Sequence, residues 1–304
     1  RLCKADLVTS AVVEFTSVQG VMGSYYAAAS GETAQVAQAI EQHYRPRFAG
    51  DEAPDTVVGK IVAIADKLDT VCGLFAVGQG PTGSSDPFAL RRSAIGIVAV
   101  MSGKDAVEVS LVAAIDAALA SYAQQGIEFD TDAVRRDVIE FFITRTKVMM
   151  RDAGNSIDAI DAVLSAGIQE PVELINRVSA LEAARSEQPE VFEDLATAYA
   201  RANNLCDSKL GTEVNESLLS EVEQALVRAV GQAESNVASA LENNNYAAAL
   251  SELAALRKPI DLFFENTMVM DEDQTLRENR LRLLNSFVAV FANVADFALL
   301  SKVK

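Results

Sequence analysis

Residues 78–92 read GQGPTGSSDPFALRR and interrupt a chain whose other segments have helical patterns. Glycine and proline break regular structure, so this segment predicts a loop that feeds a new helix. Ser85 or Asp86 is placed to cap the first amides of that helix. Pro87 suits its first position, and Phe88 is expected to begin its buried face. The segment therefore separates two helices of an all-α chain.

The same loop has a second interpretation as an anion site. A Gly/Ser/Thr loop before a helix N-terminus offers free amides at the positive end of a helix dipole. Arg91 and Arg92 follow it one turn later and add bidentate donors for the same kind of ligand. One hypothesis is thus a phosphate site, and the alternative is an ordinary interhelical loop in which Asp86 pairs with a neighbouring arginine.

Length and composition favour two helical domains. The 304 residues suffice for two separate cores, and half of them are hydrophobic while only 6% are aromatic, which favours closely packed helices over sheets. The formal charge is −17, from 26 Lys and Arg against 43 Asp and Glu. Because the protein as a whole repels polyanions, any contact with nucleic acid must use local basic patches.

The remaining compositional features concern the cellular setting. Cys3, Cys72 and Cys206 are far apart and odd in number, which predicts reduced thiols in a cytoplasmic protein. No apolar run approaches the roughly 20 residues of a membrane span, so we expect no membrane partner. Because the sequence begins at Arg1 inside a helical pattern, we expect it to be a piece of a larger protein.

The helical patterns divide the chain into two bundles in series. Residues 2–15 have the periodicity of one amphipathic helix, and residues 246–264 have a helical pattern with a break at Pro259. Leu218–Leu256 reads as a helical hairpin with its turn at residues 243–245. A polar break at Asp152–Asp158 predicts a boundary, with domains at 1–152 and 153–304.

Catalytic patterns are poor. His43 is the only histidine, so a multi-histidine metal site cannot form, and no cysteine or serine has a recognisable activating base.

Basic and aromatic clusters are more informative. Arg277 and Arg280 share a helical face suited to successive phosphates, while Phe264, near Arg257, could stack on an unpaired base.

Several runs resemble the beta subunit of the bacterial two-subunit glycyl-tRNA synthetase. They are KADLVT at 4–9, HYRPRFAGD at 43–51, ADKLDT at 65–70, DPFALRR at 86–92 and FFEN at 263–266. The resemblance implies an HD-like helical domain at 1–152, followed at 153–304 by an anticodon-binding domain of the arginyl-tRNA synthetase type. It also implies glycine-accepting tRNA as partner and an alpha subunit, in an alpha2-beta2 heterotetramer, that binds glycine and ATP.

The resemblance further implies that this chain lacks a catalytic site of its own within a class II ligase. HD phosphohydrolases bind a metal through a His-Asp pair and a later Asp. The similar positions here read Ala5-Asp6 and Asp66, so the histidine is missing and no metal or other cofactor is expected. One alternative remains an active metal phosphohydrolase that uses Asp6, His43 and Asp66, and another is a structural module for subunit assembly.

The preferred hypothesis is a noncatalytic tRNA-binding region that supports ATP-dependent attachment of glycine by the alpha subunit. The resemblance adds Arg201 to the candidates. The family has a Lys-Arg pair at this position, and this chain has only the arginine of the pair. Basic and aromatic side chains are the groups that contact phosphates and unpaired bases. The candidate tRNA-binding residues are Arg45, Arg47, Arg91, Arg92, Arg201, Arg257, Phe264, Arg277 and Arg280.

Overall fold

The computed structural model describes residues 2–48 and 50–300, and over these ranges the chain is helical and contains no β-strand. The all-α prediction is confirmed. The chain forms two compact units, the first ending at Met149 and also including Gln169–Val172, and the second made of the remainder. This division falls close to the boundary at 152/153 expected from the sequence. That expectation did not include Gln169–Val172 in the first unit.

Seven helices, α1 to α7, begin in the first unit. They are α1 (Ser10–Glu14), α2 (Val21–Ala29), α3 (Ala34–Gln42), α4 (Val57–Ala76), α5 (Leu90–Ser102), α6 (Leu111–Gln124) and α7 (Thr131–Asp152). α4 is the central helix and packs against α3, α5 and α6. Thr56 caps its N-terminus by accepting a hydrogen bond from the Gly59 amide at 3.0 Å, and Ala63, Leu68 and Val71 lie in the core.

The predicted single helix at residues 2–15 is wrong. A short 3-10 helix at Ala5–Val8 is separated from α1 by Thr9, whose backbone is extended at φ −83° and ψ 148°. The Thr9 hydroxyl accepts from the Val12 amide, so it caps α1 instead of continuing the preceding turn. Because the helix is interrupted at Thr9, the chain changes direction there, and the residues before α1 lie against α2 and α3.

The remaining helices, α8 to α15, build the second unit. They are α8 (Ile157–Leu164), α9 (Pro171–Glu187), α10 (Pro189–Leu205), α11 (Glu221–Glu242), α12 (Tyr246–Ala255), α13 (Arg257–Asn266), α14 (Gln274–Ala292) and α15 (Phe297–Leu300). α10 packs against α13, α14 and α15. The core contains an aromatic cluster in which the rings of Tyr199 and Phe297 each lie 5.0 Å from Phe291.

The predicted hairpin is confirmed, and the helix break expected at Pro259 falls three residues earlier, at Leu256. α11 ends at Glu242, and the Asn245 side chain caps α12 by accepting from the Ala248 amide at 3.1 Å. The 246–264 segment breaks at Leu256 because Pro259 cannot donate to the carbonyl four residues earlier and its ring would collide with it. α13 therefore runs in a new direction, and this places Phe264 beside α10.

Among the described residues no helix combines the length and apolarity needed to cross a bilayer.

Candidate nucleic-acid interface

The loop at residues 78–92 holds a carboxylate where the phosphate hypothesis placed a ligand. Asp86 accepts from the Leu90 amide at 2.8 Å and from the Arg91 amide at 3.0 Å, so its two oxygens occupy two of the free N–H groups at the start of α5. A phosphate at this position would have to displace the carboxylate, so the surroundings do not favour the phosphate hypothesis, which stays a prediction. The alternative is corrected, because Asp86 binds backbone amides and the Arg91 guanidinium donates to the Gly83 carbonyl at 2.6 Å.

The start of α5 also differs from the prediction. Pro87 and Phe88 form a turn, and the helix begins at Leu90 after Ala89, which has a left-handed backbone at φ 54°. Phe88 is 50% exposed, whereas Leu90 is buried. The sequence correctly predicts Asp86 as the cap of α5 but not the distance along the chain between the cap and the helix. The Asp86 carboxylate accepts from amides four and five residues ahead.

The arginines around Pro46 differ in their availability. Arg45 is surrounded by Glu41, Glu52 and Asp55 at 3.5, 3.8 and 3.7 Å, so its charge is already neutralised within the fold. Arg47 is exposed, and within the described ranges its guanidinium makes no ion pair. Arg45 is thus a poor candidate for tRNA, and Arg47 is a good one.

An open cleft of about 490 Å³ lies beside α5 and adds a residue that the sequence did not single out. Exposed Arg92 lines it together with Phe48, whose side chain is 62% exposed, and Asp51 lies on the same wall. Phe48 stands in the HYRPRFAGD run, but its exposure follows from the turn that closes between Phe48 and Asp51. An exposed aromatic ring next to an unpaired arginine is suited to contacts with a nucleotide.

In the second unit the fold brings together two predicted residues that are far apart in sequence. The Arg201 guanidinium of α10 lies over the Phe264 ring of α13, 4.0 Å from its centroid. Arg201 is exposed, and no carboxylate pairs with it among the residues that the structure describes. Phe263, by contrast, is fully buried and belongs to the core.

Arg257 is the first residue of α13, but its charge is used internally. Its guanidinium forms a close ion pair with Asp194 of α10 and a second with Asp261, one turn ahead on α13, at 3.7 Å. These contacts join α13 to α10 and neutralise the charge. The expectation that Arg257 contacts tRNA is therefore not supported by its surroundings.

Arg277 and Arg280 lie on α14 as predicted, but both face the protein. Arg280 donates to Glu223 at 2.6 Å, to Asp271 at 2.7 Å and to the Met268 carbonyl at 3.0 Å, and its side chain is only 15% exposed. Arg277 donates to the Asp271 carbonyl at 2.8 Å. That this face binds successive phosphates stays a prediction, and the surroundings of Arg280 do not favour it, because its Nε and Nη1 groups already donate to acceptors of the protein.

The positions that resemble an HD site have taken on structural contacts. Asp6 is buried, and its Oδ2 accepts from the amides of Gly20 at 2.6 Å and Gly23 at 3.2 Å. Ala5 lies beside it in the 3-10 helix and carries no ligating group. Asp66 pairs with Lys4 at 3.0 Å. In both carboxylates Oδ2 is already used within the fold, by two amides at Asp6 and by the Lys4 ammonium at Asp66, so a metal would have to displace these contacts.

Lys4 lies among several groups that could otherwise bind a cation. Its Nζ is 3.3 Å from His43 Nε2 and 4.4 Å from the centroid of the Tyr44 ring. Burial, together with the Lys4 charge, lowers the pKa of His43, so the imidazole is neutral. Sequence reasoning missed Lys4, since nothing local to residue 4 indicates that residues 43, 44 and 66 converge on it.

The chain is similar to known proteins along nearly its whole length. The sequence model of the glycyl-tRNA synthetase beta subunit matches residues 1–165, and that of the DALR anticodon binding domain matches residues 195–300. Glycine–tRNA ligase beta subunits of Desulforamulus reducens and Vibrio parahaemolyticus are each 43% identical to it, over 98% and 99% of this chain. That of Desulforapulum autotrophicum is 41% identical over 98%.

The matched region covers nearly all of this chain but less than half of each relative. It covers 43% of each of those three proteins, so the chain spans less than half the length of the curated relatives it matches. A family model that matches more than half of the chain, together with this identity, establishes the relationship. The chain therefore belongs to the glycyl-tRNA synthetase beta subunit family.

Proposed function

We propose that this chain is a noncatalytic tRNA-binding region of a bacterial glycine–tRNA ligase beta subunit. The second unit binds the unpaired anticodon bases of glycine-accepting tRNA, and the first contacts the tRNA backbone. The alpha subunit, in an alpha2-beta2 heterotetramer in the cytoplasm, binds glycine and ATP and joins glycine to the tRNA. This chain needs no cofactor for its part. The two matched family models support the proposal.

The observation that carries the proposal is the stacked pair of Arg201 and Phe264. Both residues lie within the segment that matches the DALR anticodon binding domain. The guanidinium carbon lies 4.0 Å from the ring centroid, so the cation–π contact restrains the side chain while Arg201 stays exposed to an unpaired base. A guanidinium so placed offers a stacking surface and donors for base edges or phosphates, and little side-chain entropy remains to be lost on binding.

The arginines without carboxylate partners explain how an acidic chain could bind a polyanion. Arg47 and Arg92 in the first unit and Arg201 in the second are exposed. Arg45, Arg257 and Arg280 are paired internally and add little to the external field. With a formal charge of −17 the remainder of the surface repels RNA, so binding depends on these few contacts and weakens steeply with salt.

The test compares Arg201→Ala and Phe264→Leu with Arg257→Ala as the matched control. Fluorescence anisotropy measures the affinity of this chain for glycine-accepting tRNA and for a non-cognate tRNA at two salt concentrations. Loss of one stacked base costs about 1–3 kcal/mol, so we expect Arg201→Ala to weaken cognate binding by about 5- to 150-fold. Arg257→Ala removes a charge from the same pair of helices and should change affinity little.

Three outcomes would overturn the proposal. Equal effects of Arg201→Ala and Arg257→Ala would mean that only net charge matters. An unchanged affinity in Arg201→Ala would remove the stacked pair from the interface. Absence of binding to either tRNA at low salt would exclude direct recognition by this chain. Circular dichroism of each variant checks that the helical fold is kept.

A second candidate function, subunit assembly, is favoured by exposed apolar side chains near the start of the first unit. Val8, Val13, Phe15 and Tyr25 are 86%, 68%, 64% and 66% exposed, and such patches are typical of protein interfaces. Phe15→Ser should reduce co-purification with the alpha subunit, whereas Val77→Ser, at an exposed apolar position elsewhere in the unit, should not. The assembly role fails if both variants retain the alpha subunit equally.

A further inference from the structure

The Lys4 ammonium lies where a cluster of metal-ligating atoms converges. One ligating atom each from Cys3, His43 and Asp66 lies within 4.8 Å of the others, a grouping found among the described residues. Lys4 Nζ is 3.0 Å from the Asp66 carboxylate and 3.3 Å from His43 Nε2. The lysine thus places a positive charge against two of the three groups, on lone pairs that a bound cation would use.

His43 is held in the tautomer that a metal requires. Its Nδ1 lies 2.7 Å from the Ile40 carbonyl oxygen, and because a carbonyl can only accept, Nδ1 carries the proton. The lone pair on Nε2 therefore faces Lys4. A backbone carbonyl that fixes the other ring nitrogen in this way is the usual support for a metal-ligating histidine.

A zinc ion at this position would have to replace the Lys4 ammonium. Zinc bonds of about 2.0–2.3 Å place the ligand atoms of a tetrahedral site about 3.3–3.8 Å apart, and the three atoms here lie within 4.8 Å of one another. Lys4 Nζ already contacts two of them, at 3.0 and 3.3 Å, so an ammonium and a metal would compete for the same lone pairs.

We propose that Lys4 acts as an internal cation that closes a latent Cys3–His43–Asp66 site to divalent metals, and that removing its charge opens this site to zinc. Thiolate, imidazole and carboxylate are all zinc ligands, and three of them leave the fourth tetrahedral position to water. This set differs from the HD arrangement, since Cys3 takes part and Asp6 does not.

The test is metal titration of the unmodified chain and of Lys4→Ala, with Lys104→Ala as a control that removes an exposed lysine from the same unit. Zinc binding is measured by calorimetry, and Co²⁺ absorption reports thiolate coordination. We expect Lys4→Ala to bind zinc at least about tenfold more tightly than the unmodified chain and Lys104→Ala. Adding Cys3→Ser or His43→Gln to Lys4→Ala should remove the gain and, for Cys3→Ser, the thiolate band.

Three results would overturn the inference. Equal zinc affinity in the unmodified chain and Lys4→Ala, at equal helical content by circular dichroism, would mean that Lys4 does not close the site. Tighter binding in Lys4→Ala that persists after both added substitutions would place the metal elsewhere. Lys4→Arg, which keeps a positive charge, tests the charge itself, and metal affinity equal to that of Lys4→Ala would refute the role of the cation. None of these outcomes depends on tRNA binding.

Discussion

Arg280→Met removes the guanidinium that neutralises Glu223 inside the second unit. The Glu223 side chain is 2% exposed, and after the change only the Ser220 amide, 2.7 Å from its Oε2, still donates to it. Breaking a buried ion pair by removing one partner costs about 3–5 kcal/mol. Because the Ser220 hydrogen bond remains, we expect a loss near the lower end, about 3 kcal/mol, in the free energy of unfolding of this unit.

The measurement must resolve the second unit from the first. Hydrogen exchange followed by mass spectrometry reports α11 and α14 directly, and a loss of about 3 kcal/mol accelerates exchange of their most protected amides by about a hundredfold. Arg201→Met is the control, since it removes an exposed arginine without an ion pair and should shift stability by no more than about 0.5 kcal/mol.

The double variant Arg280→Met with Glu223→Gln separates the cost of an unpaired charge from the loss of contacts. Glutamine keeps the acceptor for the Ser220 amide and removes the buried charge, so the double variant should regain at least about 1 kcal/mol over Arg280→Met. The reasoning is refuted if Arg280→Met leaves exchange unchanged but weakens tRNA binding, because Arg280 would then act at the interface. It is also refuted if the double variant is less stable than the single one.

Three further expectations concern the first unit. Asp86→Ala removes the cap of α5 and should cost about 1 kcal/mol in urea unfolding without weakening tRNA binding; a loss of affinity would return this loop to the interface. Gly23→Ala would place a methyl group 2.7 Å from the Ile40 side chain and should cost about 1–3 kcal/mol in the same assay, whereas an unchanged stability would mean that this packing relaxes freely. Arg47→Ala and Arg92→Ala should each reduce the salt dependence of tRNA binding by about one unit of slope, and an unchanged slope would remove that residue from the phosphate contacts.

The acid sensitivity of the second unit gives a further check on the same ion pair. Burial alone would raise the pKa of Glu223, but hydrogen bonds from Arg280 and from Ser220 outweigh it and hold the pKa below its ordinary value. The folded state therefore binds a proton less readily than the unfolded state. The stabilising contribution is present above the ordinary pKa of about 4.5 and is lost as the pH falls through the lowered one. Urea unfolding should show a smaller loss of stability over this range in Glu223→Gln.

The features that the sequence predicted correctly are local ones. Helical periodicity, the Asn-rich turn before α12 and the Asp86 cap are properties of residues within one or two turns of each other. The break near Pro259 also has a local cause, the missing proline N–H. The break that was missed, at Thr9, is local as well, because capping by Thr9 outweighed an otherwise continuous periodicity. The family resemblance predicted which kind of domain each unit is, whereas periodicity predicted only that both are helical.

The sequence by itself determined an all-α chain of two units and a short set of arginines as candidates for tRNA contact. Only the tertiary structure decided which arginines remain available. Arg280 meets Glu223 from 57 positions away, whereas Arg201 meets Phe264 from 63 positions away and has no carboxylate partner within the described part of the chain. Ion pairs form over about 4 Å, so the packing of helices distant in sequence decides the availability of each charge.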